Sequence, residues 1–255
     1  FTQGMVCHET YKDSNNKWIS PDEVEKDKSG IVMHKNTKNK IIVGPSEAMS
    51  KSKRNIIDPE SMIKIYGADA VRWFILSDSP PDKDVQWSNQ GVNASYKFLQ
   101  KIWNLNLSVL NRSDKKTTKT LEEDFNDEFN GYILKITNFI ENFQLNVAVA
   151  NIYEVYHLIN KYMAQKVSNN CLKNNLASFM SILIPFTPHL ANECLEKLGK
   201  SRIDSWPKIK KKFSKKQKIK IAIQINGKTR EVVEIEKDLI EKDVVSITKK
   251  SKKIN

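Results

Sequence analysis

Apolar positions along the chain change their rhythm twice. From residue 1 to about 92 they come in short runs broken by polar stretches. Residues 1–10 read as a strand, and residues 13–28, polar and containing Pro21, read as an excursion from it. Gly30-Ile31-Val32-Met33-His34 and Lys40-Ile41-Ile42-Val43-Gly44 predict two short strands joined by a turn over residues 34–39. Asp58 then suits a helix N-cap and Pro59 the first helical position. That helix runs through Met62, Ile63 and Ile65 to Tyr66, where Gly67 is a natural stop. A second helix follows, with Val71, Phe74 and Ile75 on one face, until Ser79-Pro80-Pro81 ends it.

From about residue 93 to 199 the period becomes helical. Phe98, Leu99, Ile102, Trp103, Leu105 and Leu110 form one stripe, and a polar, basic linker follows at residues 111–120. Residues 129–143, 147–164, 172–184 and 189–198 continue the pattern, with Pro185 and Pro188 interrupting it. This predicts a bundle of four or five helices. From Lys208 the pattern changes again. Residues 208–216 have no packable face, and Ile219, Ile221, Ile223 and Ile225 then alternate as in a strand. Asn226-Gly227 is a hairpin signal, residues 231–235 are the returning strand, and residues 238–247 read as a helix. The expected segments are 1–92, 93–207 and 208–255, with no internal repeat.

Charge sharpens this division. Residues 1–199 carry 24 Lys and Arg against 23 Asp and Glu, while residues 200–255 carry 18 against 7. The excess therefore sits almost wholly in the third segment, which points to a polyanionic partner, nucleic acid before membrane. No apolar run approaches the roughly 18 residues of a membrane span. The opening residues have neither the basic start nor the cleavage pattern of a signal peptide. The chain opens without Met, as if in mid-strand, and is read as a fragment. Three cysteines (Cys7, Cys171 and Cys194), none in a C-x-x-C pair, argue against a zinc ribbon or a disulfide framework and for a reducing setting, a cytosol or an organelle matrix, of which the cytoplasm is the expectation.

The chemistry concentrates at Ala48-Met49-Ser50-Lys51-Ser52-Lys53-Arg54-Asn55, a loop of small and basic residues feeding a helix N-terminus. Its lysines, arginine, hydroxyls and free backbone N–H groups suit a phosphate ligand, where fixed cations stabilise charge on a leaving group. On composition alone, a solvated basic loop fits equally well. Other features read as structural: Trp73 and Trp103 as core on apolar stripes, His189 as a helix-start residue, and Glu122-Glu123-Asp124 as a solvated acidic run. His8 and Cys7, adjacent on a strand, point to opposite faces and do not make a metal pair.

The loop resembles the K-M-S-K-S signature of class I aminoacyl-tRNA synthetases, and the match continues through Asp58-Pro59 and Tyr66-Gly67-Ala68-Asp69-Ala70-Val71-Arg72. Within the class, the leucyl-tRNA synthetase family is the most similar. The resembling segments are Phe1-Thr2-Gln3-Gly4-Met5-Val6, residues 79–88, Pro185-Phe186-Thr187-Pro188-His189-Leu190, Ser205-Trp206-Pro207 and Ile223-Gln224-Ile225-Asn226-Gly227-Lys228-Thr229-Arg230. The valyl and isoleucyl families share the loop and the bundle but not the first and last of these. The resemblance implies a multidomain chain: part of an α/β, Rossmann-like nucleotide-binding domain, an α-helical anticodon-binding bundle, and a small α+β C-terminal domain.

It also implies roles. Lys51, the signature's second lysine, would contact the phosphates of magnesium-bound ATP and stabilise departing pyrophosphate. Met49, Ser50, Ser52 and Lys53 would complete the phosphate loop, with Ser50 and Ser52 shaping it and Met49 as a buried anchor. Ala48 stands where the family has its first lysine, and Lys53 or Arg54 is the candidate replacement. Leucine, ATP and tRNA-Leu are the implied ligands. Lys218, Lys220, Lys228 and Arg230 are the candidate tRNA contacts, and no metal ligands are expected in the chain itself. The family's H-x-G-H signature is absent from these 255 residues. The chain alone is therefore expected not to activate leucine, and a missing N-terminal half is a candidate partner. A split synthetase subunit and a non-catalytic tRNA-binding module are the rival readings.

Overall fold

The computed structural model describes residues 3–200, 206–209, 218–225, 228–236 and 244. The chain divides into two compact units, residues 1–208 and 209–255.

In the first unit, β1 (Val6–Lys12) is the centre of a small sheet. It pairs antiparallel with β2 (Trp18–Ile19) and β5 (Ile42–Ala48), and parallel with β6 (Val85–Gln86). The parallel pair needs a close approach. Gly4 N–H donates to Pro81 O at 2.9 Å, and a Cβ on Gly4 would lie 1.9 Å from Lys83 O, so only glycine fits. Parts of two sequence-distant segments that resemble the same family, residues 4–6 of the first and 81–85 of the second, thus lie side by side.

The excursion after β1 holds β2, a 3-10 turn at Pro21–Glu23, β3 (Val24–Lys26) and β4 (Val32–His34). Here the expected hairpin differs. β4 pairs with β3, and Lys40 contributes only a single bridge to Met33 before the chain enters β5. The turn explains the choice. Asp27 Oδ1 accepts from the N–H groups of Ser29 and Ile31, both at 2.8 Å, and Gly30 takes the left-handed φ of +80°. An aspartate and a glycine spaced this way close a tight turn between β3 and β4. Tyr11, Ile19, Val32 and Ile41 bury the excursion's small core.

α1 (Pro59–Tyr66) starts as expected. Asp58 accepts from Glu60 N–H at 3.2 Å and Ser61 N–H at 3.0 Å, and Gly67 at φ +81° ends the helix and opens α2 (Ala68–Asp78). Five helices follow: α3 (Asn89–Leu110), α4 (Lys119–Glu141), α5 (Leu145–Met163), α6 (Asn169–Leu183) and α7 (Pro188–Lys197). Ser88, Thr118 and Ser168 cap α3, α4 and α6 through their hydroxyls. Phe125, Phe129, Phe179 and Ile152 are wholly buried in the bundle. Among the described residues no helix is long and apolar enough to cross a membrane.

α2 belongs to this packing as well. Trp73 is fully buried against Phe98 on α3, Tyr153 on α5 and Phe186 in the α6–α7 turn. Asp69 accepts from Leu190 N–H at 2.7 Å, capping α7 from 121 residues away, and Arg72 donates to Pro185 O at 2.8 Å. The second helix after the basic loop is therefore bonded directly to the last turn of the bundle.

In the second unit, β7 (Lys218–Ile225) and β8 (Lys228–Glu236) form an antiparallel hairpin with an irregularity between Ile223 and Gln224. Ile221 and Ile223 are half-buried while Ala222 between them is exposed, as strand alternation requires. The Asn226-Gly227 turn and, but for Val244, the helix expected over residues 238–247 lie outside the described residues.

Candidate functional site

The basic loop leaves the sheet at the end of β5, beside β1. Met49 N–H donates to Val6 O at 3.3 Å, which keeps the chain on the sheet one residue past the strand. Four residues of turn follow, and Asn55 locks them from below. This side chain is fully buried. Its Oδ1 accepts from Ser50 N–H at 2.8 Å, and its Nδ2 donates to His8 O and Glu47 O, both at 3.2 Å. Asn55 thus ties the loop's first residue to both strands beneath it. The Ser50 and Ser52 hydroxyls lie 3.1 Å apart, and Ser50 Oγ accepts from Lys53 N–H at 3.3 Å. Arg54 N–H donates to Lys51 O at 3.3 Å, with Arg54 itself at φ +54°.

The three cations of the loop differ in their company. Lys53 forms an ion pair with Glu47 at the end of β5. Arg54 reaches the excursion, donating to Glu23 Oε2 at 3.0 Å and to Trp18 O at 3.3 Å. Lys51 is exposed, and among the described residues its ammonium has no carboxylate partner. The N–H groups of Lys51 and Ser52 likewise carry no hydrogen bond there. Lys51, two N–H groups without a hydrogen bond among the described residues, and two hydroxyls bonded within the turn thus lie on one short loop. That is a donor set suited to phosphate oxygens.

Met49, expected as a buried anchor, is half-buried. His8, in register with Glu47, is held below its ordinary pKa chiefly by burial, so at pH 7 it is neutral and adds no charge to the loop. All three cysteines are free and buried. Burial raises their thiol pKa values, to about 11 for Cys171 and about 12 for Cys194, which leaves them poor nucleophiles. Trp103 is half-buried under Lys197, and Trp206 donates to Thr137 Oγ1 at 2.8 Å. Neither is a free stacking platform. No group of three or more His, Cys, Asp or Glu among the described residues is placed to hold a metal ion.

The candidate RNA contacts lie in the other unit. Lys218 and Lys220 are on β7, in register with Glu236 and Glu234. Lys228 is on β8 in register with Ile225, and Arg230 sits on β8 at the irregularity. Sequence reasoning included Asn55 in the loop without a role and missed Glu47 and Glu23. The signature drew attention to the cations, and nothing local marks the residues that hold them.

Known proteins resemble the chain along its whole length. A family model described as tRNA synthetases class I (I, L, M and V) matches residues 37–88, and one described as the anticodon-binding domain of tRNA ligase matches residues 122–245. The leucine–tRNA ligase of Zymomonas mobilis is 34% identical over 100% of the chain, and that of Orientia tsutsugamushi 40% identical over 96%. A solved ternary complex of LeuRS, tRNA and LeuAMS from Agrobacterium radiobacter K84 superposes with a TM-score of 0.67 at 23% identity, covering 100% of this chain and 30% of that one. The fold is that of a class I synthetase with an anticodon-binding domain. Within that class the two relatives named are leucine–tRNA ligases, and the chain spans 29% of the length of each.

Proposed function

We propose that the chain supplies the ATP-phosphate loop and the tRNA-binding surfaces of a leucine–tRNA ligase. Residues 1–92 are the C-terminal part of the catalytic domain, residues 93–207 the anticodon-binding bundle, and residues 208–255 a basic linker and part of a C-terminal tRNA-binding domain. The observation that carries this reading is the loop: a turn anchored by Asn55 in which Lys51 has no carboxylate partner among the described residues, in a chain 34–40% identical to leucine–tRNA ligases.

ATP, with its magnesium, would meet the loop through its phosphates when leucine is joined to AMP. Lys51 holds a fixed positive charge where negative charge builds on pyrophosphate, which lowers the barrier because the charge is already in place. Ser50 and Ser52 shape the turn, Met49 joins it to the sheet, and Lys53 is a second cation within it. The leucyl group then passes to tRNA-Leu. Lys218, Lys220, Lys228 and Arg230 hold that RNA through its phosphates, which gives affinity without reading bases. The reaction belongs in the cytoplasm, where unpaired thiols stay reduced.

The test is binding of the chain to leucine, valine and methionine tRNAs across a salt titration. Preference for the leucine tRNA that survives added salt is the expected result. Equal binding that collapses with salt contradicts the leucyl assignment of the RNA surface. Reversing Lys228 and Arg230 to glutamate should weaken binding to each tRNA alike. It should also flatten the plot of log K against log salt by about 0.7–0.9 per lost phosphate contact. An unchanged slope removes these two residues from the interface.

A further inference from the structure

We propose that Glu47 is a gate on the phosphate loop, holding the Lys53 ammonium in reserve until a polyphosphate draws it away. The proposal rests on the reading of the loop as a phosphate site and adds a residue that the signature does not contain.

Three observations on the loop converge. Lys53 is bonded to Glu47, so the second lysine of the turn is neutralised by a carboxylate on the strand that leads into it. In sequence Glu47 directly precedes Ala48, where the signature's first lysine is replaced, so the turn lacks one of the signature's cations while Lys53 is held by a carboxylate. Glu47 also has a fixed backbone, since its carbonyl accepts from buried Asn55 and its Cα is in register with His8. Its carboxylate is thereby tethered at the rim of the turn, one residue from the loop and six from Lys53.

The alternative is that Glu47 merely braces the loop, and magnitudes separate the two. Both side chains are more than a third exposed, at 39% and 36%. A solvent-exposed pair of this kind is weak, and a polyphosphate carrying several negative charges outcompetes a single carboxylate for the same ammonium. Breaking the pair therefore costs little, and the released lysine adds a charge-assisted contact. The loop thus presents one cation, Lys51, at rest and two once phosphate arrives. Arg54 is paired separately, with Glu23 and the Trp18 carbonyl on the excursion and not on the loop's own strand.

Inorganic tripolyphosphate titrated onto the 255-residue chain tests this. The backbone amides of Ser50 and Ser52 are followed by nuclear magnetic resonance, so that binding at the loop is read apart from the basic third segment. Glu47→Gln is expected to tighten binding about threefold, the effect of freeing an exposed ion pair. Lys53→Gln is expected to weaken it, and in the Lys53→Gln background Glu47→Gln should lose most of its gain. Unchanged or weaker binding by Glu47→Gln overturns the gate in favour of a brace. A gain that persists in full without Lys53 also overturns it, since simple repulsion then suffices. Lys51→Ala separates the underlying reading. If it binds as well as the unaltered chain, or if no chain shifts these amides, the loop is not a phosphate site and the gate falls with it. If Lys51→Ala binds more weakly while Glu47→Gln has no effect, the phosphate site stands and only the gate is lost.

Discussion

Trp73→Ala is expected to destabilise the first unit by about 3–5 kcal/mol, the usual cost of truncating a large buried aromatic side chain to alanine. Trp73 is among the largest wholly buried side chains of the described residues. It meets three rings at once: Phe98 with centroids 5.4 Å apart, Tyr153 at 5.8 Å and Phe186 at 6.2 Å. Its indole N–H also donates to the Tyr153 hydroxyl at 3.1 Å. Truncation leaves a cavity where α2 meets α3, α5 and the α6–α7 turn, and strips that hydroxyl of a donor. Trp73→Phe keeps much of the ring volume and loses the hydrogen bond, so its cost should be nearer 1–2 kcal/mol. Urea unfolding monitored by circular dichroism gives both values. A loss below about 1 kcal/mol for the alanine variant would mean that α2 is not part of the bundle's core. The result has a functional side. α2 follows directly on the helix that the loop feeds, so a bundle that loosens around Trp73 also loosens the base of the phosphate site.

What could be read in advance divides along one physical line. Structure written in neighbouring residues was visible: the Asp58 cap with Pro59, the Gly67 stop, the five helical stripes, and the alternating isoleucines of β7. Each is a local rule of dihedral preference or period, satisfied within a few residues. Pairings across long stretches of chain were not visible. β6 joins β1 across some 80 residues, and β4 takes β3 instead of the strand expected from residues 40–44. Asp69 caps α7 from the other end of the unit. No periodicity encodes these, because a strand's alternation states which face is buried and not which edge it meets. The site shows the same split. Its cations were legible from composition and signature. Glu47 and Glu23, which hold two of those cations in ion pairs, read in sequence as ordinary acids on a polar surface. Lys51 is distinguished from Lys53 only once the partners are seen.

The largest single effect on the site itself should come from Asn55, a residue that carries no charge and is fully buried beneath the loop. Asn55→Ala is expected to destabilise the first unit by about 2–4 kcal/mol, since it strands buried polar groups. The amide is fully buried and joins four backbone groups: Ser50 N–H, and the carbonyls of His8, Glu47 and, more distantly at 3.5 Å, Ala48. Alanine replaces none of these bonds, and the site lies too deep for water to restore them without opening the turn. Asn55→Asp tests the chemistry more narrowly. A carboxylate of nearly the same shape still accepts from Ser50 N–H, but it presents oxygen to the carbonyl oxygens and a charge to a buried site, both unfavourable. The aspartate variant should therefore be no more stable than alanine, despite its closer fit. In either variant, amide hydrogen exchange over residues 50–54 should rise by more than exchange in α5, because the turn loses its floor while the bundle keeps its core. If exchange rises equally in both places, Asn55 supports the unit as a whole. If only the loop responds, the geometry of the phosphate site hangs on one buried amide, and Lys51 should lose affinity for polyphosphate with its own side chain untouched.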